Sequence, residues 1–119
     1  MKDRALQGLL KASPEKRYKS FLATAADTEE IWFLSSEDGE VMLEADGYIH
    51  LLVWPRKEFA EMFRQDGEEA ASVEVHEFIE QCETQEDIRF MVFPNDKDCY
   101  IVDAEKLAED LNAALEEVE

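Results

Sequence analysis

The sequence predicts a single α+β domain over residues 1–119, with an antiparallel or mixed sheet of about five to six strands and helices packed mainly on one side. Three observations predict it. The 119 residues, 45% of them hydrophobic, are enough for one core without staples. The apolar spacing switches along the chain between a helical period of about 3.6 and a strand period of about 2. Finally, Gly, Pro, Asn and Asp punctuate the strand-like stretches, as turns require.

A short first helix is expected within residues 2–12, through Leu6, Leu9 and Leu10, weakened by Gly8. Ser13-Pro14 reads as an N-cap followed by proline at the first helical position, where a missing N–H costs nothing. Tyr18, Phe21, Leu22 and Ala25 then fall at i, i+3, i+4 and i+7, one buried stripe. Lys11, Lys16, Arg17 and Lys19 are expected to face outward from it or to sit beside the acidic body.

From Ile31 the pattern becomes strand-like. Ile31 to Leu34 ends in Ser-Ser-Glu-Asp-Gly, Val41 to Leu43 follows, and Asp46-Gly47 is a favoured hairpin pair leading into Tyr48 to Trp54. A three-stranded meander is the expectation. Pro55 opens a helix with Phe59, Met62 and Phe63 inward, closed by Asp66-Gly67. Ala71 to Val75 is extended. Val75, Phe78, Ile79 and Cys82 make a further helical stripe. Ile88 to Phe93 and Cys99 to Val102 form a hairpin across Pro94 to Asp98. Asp103 caps a last helix with Leu107, Leu111, Ala114, Leu115 and Val118 inward. Glu116, Glu117 and Glu119 oppose its dipole, so its end is expected to fray.

Charge narrows the function classes. Thirty acids against twelve bases give a formal charge of −18. Residues 1–22 hold six bases and two acids, a local +4, so the other 97 residues carry −22. Phosphate recognition runs on Lys and Arg, so nucleic acid and anionic membrane are excluded as direct partners, and attraction to a basic protein is favoured. Only Cys82 and Cys99 occur, without a C-x-x-C pair, and Met1 to Leu10 lacks the apolar stretch of a secretory leader. A reducing cytoplasm is the expected location, and no run approaches the length of a membrane span.

Residues able to carry chemistry are few. No glycine-rich phosphate loop, G-x-S-x-G or H-E-x-x-H pattern occurs, so neither cofactor nor metal is expected and no catalytic residue is nominated. Asp96, Asp98 and Asp103 fail the EF-hand pattern because Ile101 stands where glycine is needed. His76 and Cys82 lie on different sides of their helix, and Cys82 reads as a core residue. His50 reads as a satisfied or solvent-facing histidine. Trp54-Pro55 and Phe93-Pro94 each end an apolar strand with a proline. They read first as strand stops with core aromatics; the alternative is a ligand groove floored by Trp32, Trp54 and Phe93 with His50 as a polar group.

With these residues in order, the chain resembles the bacterial domain of unknown function 2750 family. The likeness rests on Arg17-Tyr18 with Phe21-Leu22, Trp32 and Leu34, Trp54-Pro55, Phe78-Ile79, and Val92-Phe93-Pro94-Asn95, and covers about residues 14–111. It implies a bacterial cytoplasmic origin and supplies no catalytic residues. More distantly, the element order is similar to the SseB N-terminal domain family of α/β modules, which work through protein contacts. The functional expectation is a non-enzymatic protein-interaction module, adaptor-like or immunity-like, with a basic partner. The runner-up is a small enzyme or ligand-binding domain with a pocket near Trp32, Trp54 and His50. A homodimer is compatible with either.

Overall fold

Helix α1 (Pro14–Thr28) leads into strand β1 (Glu30–Ser36), and the computed structural model describes residues 8, 10–85, 87–95 and 97–118. The chain continues through β2 (Gly39–Glu40), β3 (Met42–Ala45), β4 (Tyr48–Val53), α2 (Lys57–Met62), β5 (Glu69–Glu74), α3 (Val75–Thr84), β6 (Ile88–Val92), β7 (Tyr100–Asp103) and α4 (Ala104–Val118). This is the α+β class that the spacing predicts. The expected first helix lies mainly outside the described residues; Gly8, Leu10 and Lys11 are helical.

The helix ends follow the capping chemistry. Ser13 Oγ accepts from Lys16 N, Glu74 Oε1 from Glu77 N, and Asp103 Oδ1 from Lys106 N at 2.8 Å. Helix α4 extends to Val118, with Leu115 buried in its last turns. Val118, expected inward, is exposed, and so is Met62.

The strands form a three-stranded sheet, β2-β1-β5, and a four-stranded sheet, β3-β4-β6-β7. All pairings are antiparallel except β4 with β6, so the mixed form is the one realised. The simple meander is corrected: its middle strand breaks at Val41, whose N–H bonds Leu34 O, and the two pieces pair with different sheets. The sheets are joined by Trp32 and Trp54, whose main chains exchange two hydrogen bonds of 2.9 and 2.8 Å.

Alternation assigns the faces of the four-stranded sheet. Val53, Phe90, Val92 and Val102 are buried on one face, with Tyr100 half-buried beside them. Helices α1, α3 and α4 cover it: Tyr18 stacks on Tyr100 at 4.2 Å and Phe78 meets Phe90 at 5.2 Å. Helix α2 packs instead on β1 and β5, and Phe63 just after it stacks on Trp54 on the opposite face. Helices therefore lie mainly, not wholly, on one side.

Helices α1 and α4 are pinned by a polar contact at the edge of this core. The Tyr18 hydroxyl donates to Asp110 Oδ2 at 2.6 Å, and Lys106 Nζ sits 3.1 Å from Asp110 Oδ1. Burial first, then the hydrogen bond and charge of Asp110, push the Tyr18 phenol well above its usual value. An unfolded tyrosine ionises near pH 10 while the native one keeps its proton, so the native state binds more protons there and stability falls as pH rises. The urea midpoint is expected to drop from about pH 10 upward. Tyr18→Phe should flatten that part of the profile; an unchanged slope would show that other groups set it.

Candidate functional site

Arg17 is the most heavily bonded side chain described, and its position corrects the expectation of an outward-facing base. Lys11, Lys16 and Lys19 are exposed, but Arg17 retains only 1% of its surface. All five guanidinium N–H groups are used. Nε donates to Phe93 O at 3.0 Å, and Nη1 to Ala12 O at 2.9 Å and Leu10 O at 3.4 Å. Nη2 donates to Asp98 O at 3.2 Å and to the Asp98 carboxylate. Arg17 thus ties the segment before α1 to the β6–β7 loop. It also holds Phe93, whose φ of 51° is unusual for a bulky residue and stores about 1–3 kcal/mol of strain.

The four residues nominated from the sequence do not share an open site. Trp54 and Phe93 have no accessible surface. Trp54 donates from Nε1 to Pro94 O at 3.2 Å, and Phe93 packs on Phe59 with ring centroids 4.6 Å apart. Trp32 is half-buried and borders a hollow of about 140 Å3 with Thr28, Glu30 and Arg56.

His50 is different. It lies on β4, 2% exposed, on the face opposite Val53, and its Nδ1 has no hydrogen-bond partner. The expectation of a satisfied or solvent-facing ring is corrected for this histidine. Such an unpaired buried group costs about 1–3 kcal/mol.

Helices α1, α3 and α4 meet this sheet from the other face, and on the His50 face Phe63, just after α2, stacks on Trp54. Leu43 stands opposite His50 on β3 and Arg89 opposite it on β6. Leu43, Tyr48 and Ile101 are exposed, Leu52 and Met91 half-buried, and the Arg89 guanidinium lies 3.7 Å from the Tyr48 ring centroid. The result is an apolar sheet face with a capped aromatic and a polar orphan beneath it. Sequence reasoning nominated His50 but missed Leu43, Tyr48 and Ile101, because exposed apolar residues in an alternating strand look like buried ones.

Elsewhere the chemistry is muted. A hollow of about 600 Å3 between α3 and α4 is lined by Glu83, Asp103, Glu105 and Glu109 together with Cys82 and Asn112. Burial pushes the Cys82 thiol up to about 12, and burial and then Asp98 push Cys99 up as well, so neither is a ready thiolate nucleophile. Glu29, Glu74 and His76 bring ligand atoms within 4.8 Å of one another at the surface. Glu74 is engaged there in capping α3 and in accepting from His76 at 2.5 Å, a contact that holds its carboxyl below the usual range. No described helix is long and apolar enough to cross a membrane.

Residues 18–111 match the family model described as protein of unknown function (DUF2750). The chain belongs to the DUF2750 family. No curated protein matches it. The likeness to the SseB N-terminal family rests on element order alone and gains nothing from this match. Three of the stretches that carry the resemblance meet in one place: Trp54 and Phe93-Pro94-Asn95 converge beside Arg17. Asn95 adds a 2.7 Å bond to Leu10 O and accepts from Lys97 N and Asp98 N. In this member they build a buried knot of strand exits rather than an open pocket.

Proposed function

We propose that this DUF2750 protein is a non-enzymatic protein-interaction module of the bacterial cytoplasm that receives a basic partner on the face of its four-stranded sheet opposite α1, α3 and α4. One observation carries the reading: Leu43, Tyr48 and Ile101 are exposed, with Leu52 and Met91 half-buried between them, on the sheet face opposite α1, α3 and α4. Contiguous exposed apolar surface rimmed by polar groups marks interaction sites in soluble proteins. The charge of −18 sets the partner's sign, since it raises the encounter rate with a cation-rich surface and repels a second copy of the chain.

A second reading, a small enzyme or ligand-binding domain with a pocket near Trp32, Trp54 and His50, draws on the unpaired His50 Nδ1. It stands second because the hollow at Trp32 is about 140 Å3, below the roughly 300–1,000 Å3 of ligand pockets.

The test compares the wild type with Leu43→Glu/Ile101→Glu as tagged baits in native cytoplasm, read by mass spectrometry. A stoichiometric basic protein should be captured by the wild type and lost from the variant by about tenfold or more, as for interface anchors. Both substitutions are at exposed positions, so the variant's stability should stay within about 0.5 kcal/mol per site. Undiminished capture by a fully folded variant would remove this face from the interface.

A further inference from the structure

We infer that the outer edge of β3 accepts an extended, lysine- or arginine-bearing segment of the partner as an added β-strand. This rests on the protein-interaction reading above and specifies how that surface is used.

Among the described residues, strand β3 ends its sheet and pairs only with β4. Asp46 and Gly47, at φ 52° and 82°, form the two-residue turn of a type I′ hairpin. Such a turn makes Ala45 and Tyr48 the hydrogen-bonded closing pair. Alternation along the ladder then turns the main-chain N–H and C=O groups of Glu44 and Met42 outward. Those unpaired groups are the template for a further strand.

The side chains at this edge suit an apolar contact on both faces. Met42 and Leu43 are adjacent, so they point to opposite sides, and they are 39% and 48% exposed. Of the seven exposed large hydrophobics described, Met42, Leu43, Tyr48 and Ile49 lie in this one hairpin. The other described edges are poorer: β2 is only Gly39–Glu40, β7 carries only Ile101, and β5 carries none and is bounded by Glu69 and Glu74. Edge strands that avoid pairing usually carry lysine, proline or a bulge, and β3 has neither lysine nor proline.

Charge selects the occupant. No Lys or Arg occurs from residue 20 to residue 55, whereas eight acids do, with Glu40, Glu44 and Asp46 along or beside β3. A cationic strand gains attraction along its length. A second copy would set these acids against their own images, which disfavours pairing of like edges.

The probe is a synthetic peptide of about nine residues alternating lysine and valine, long enough to span the edge. It is compared with the same peptide N-methylated on alternate residues, which keeps the charge and removes the donors of one edge. Binding is titrated at low salt to wild type, Glu44→Pro and Glu44→Gln, and amide exchange is followed at Met42 and Glu44. Proline at Glu44 deletes an N–H that the β3–β4 ladder does not use. N-methylation and Glu44→Pro should each weaken binding about tenfold or more, and Glu44→Gln only about two- to threefold. The Met42 and Glu44 amides should become protected. If Glu44→Pro does not fold, the N-methylated peptide on the wild type still decides.

Equal binding of both peptides, with no protection at Met42 and Glu44, overturns strand addition and leaves the basic-partner reading standing. Failure of any cationic peptide to bind overturns both. A dimer of the wild type in sedimentation that Glu44→Pro abolishes would make the occupant a second copy and overturn the basic strand.

Discussion

Arg17→Ala is expected to lower the unfolding free energy by about 3–5 kcal/mol, the size seen when a buried, fully bonded charge loses its site. The argument rests on geometry. Five N–H groups converge on four backbone carbonyls and one carboxylate, and the guanidinium is nearly inaccessible. Removing it strands the Phe93 carbonyl inside the protein and frees Phe93 to leave its strained φ. The ion pair itself is the smaller part, because the Asp98 side chain is 51% exposed and such pairs are worth about 0–1 kcal/mol. Asp98→Asn should therefore cost about 1 kcal/mol. Arg17→Lys should recover little, since one ammonium cannot aim donors in the directions a planar fork reaches. Replacing Lys11, Lys16 and Lys19 together by glutamine should change stability by less than about 1 kcal/mol, as all three are exposed. Urea unfolding followed by tryptophan fluorescence measures each variant. An Arg17→Ala protein within about 1 kcal/mol of wild type would show that water replaces the guanidinium at these carbonyls.

Why the sequence placed Arg17 outside is instructive. Arg17, Phe21 and Ala25 stand at i, i+4 and i+8, so the arginine shares the buried stripe, and its charge hid a signal that was present. Hairpin turns and helix caps were legible because they depend on residues near in sequence: Asp46-Gly47, Ser13-Pro14 and Asp103 all act where expected. The break at Val41 was not. Val41 to Leu43 read as one strand, and only the competing claims of β1 on Gly39–Glu40 and of β4 on Met42–Ala45 divide that stretch. The parallel pairing of β4 with β6 is likewise a choice among distant partners. At the candidate surface, alternation on β4 placed His50 in line with Tyr48, Leu52 and Trp54. How far helices cover that line depends on where α1, α2, α3 and α4 pack, and no local pattern encodes that.

Trp54→Ala is the second large effect, expected at about 3–5 kcal/mol because a fully buried aromatic leaves a cavity that close-packed neighbours fill only in part. Its ring stacks on Phe63 with centroids 6.0 Å apart and planes 9° apart, so the truncation also loosens the segment that follows α2. The indole N–H is lost as well, leaving the Pro94 carbonyl without its 3.2 Å donor. Trp54→Phe separates these contributions: it keeps most of the apolar volume, removes the donor, and should cost about 1–2 kcal/mol. Position matters beyond the cavity, because the Trp54 main chain forms the bridge to Trp32 that joins the two sheets. In Trp54→Ala the amides of Trp32 and Trp54 should therefore exchange faster than those at the centre of the β1–β5 ladder, even where the protein remains folded. Thermal melting and residue-resolved exchange decide the matter together. A Trp54→Ala protein that melts like wild type, keeps both amides protected and yet no longer captures the partner would move Trp54 from the sheet junction to the binding surface, and the docking site would then lie at the strand exits rather than around Leu43 and Ile101.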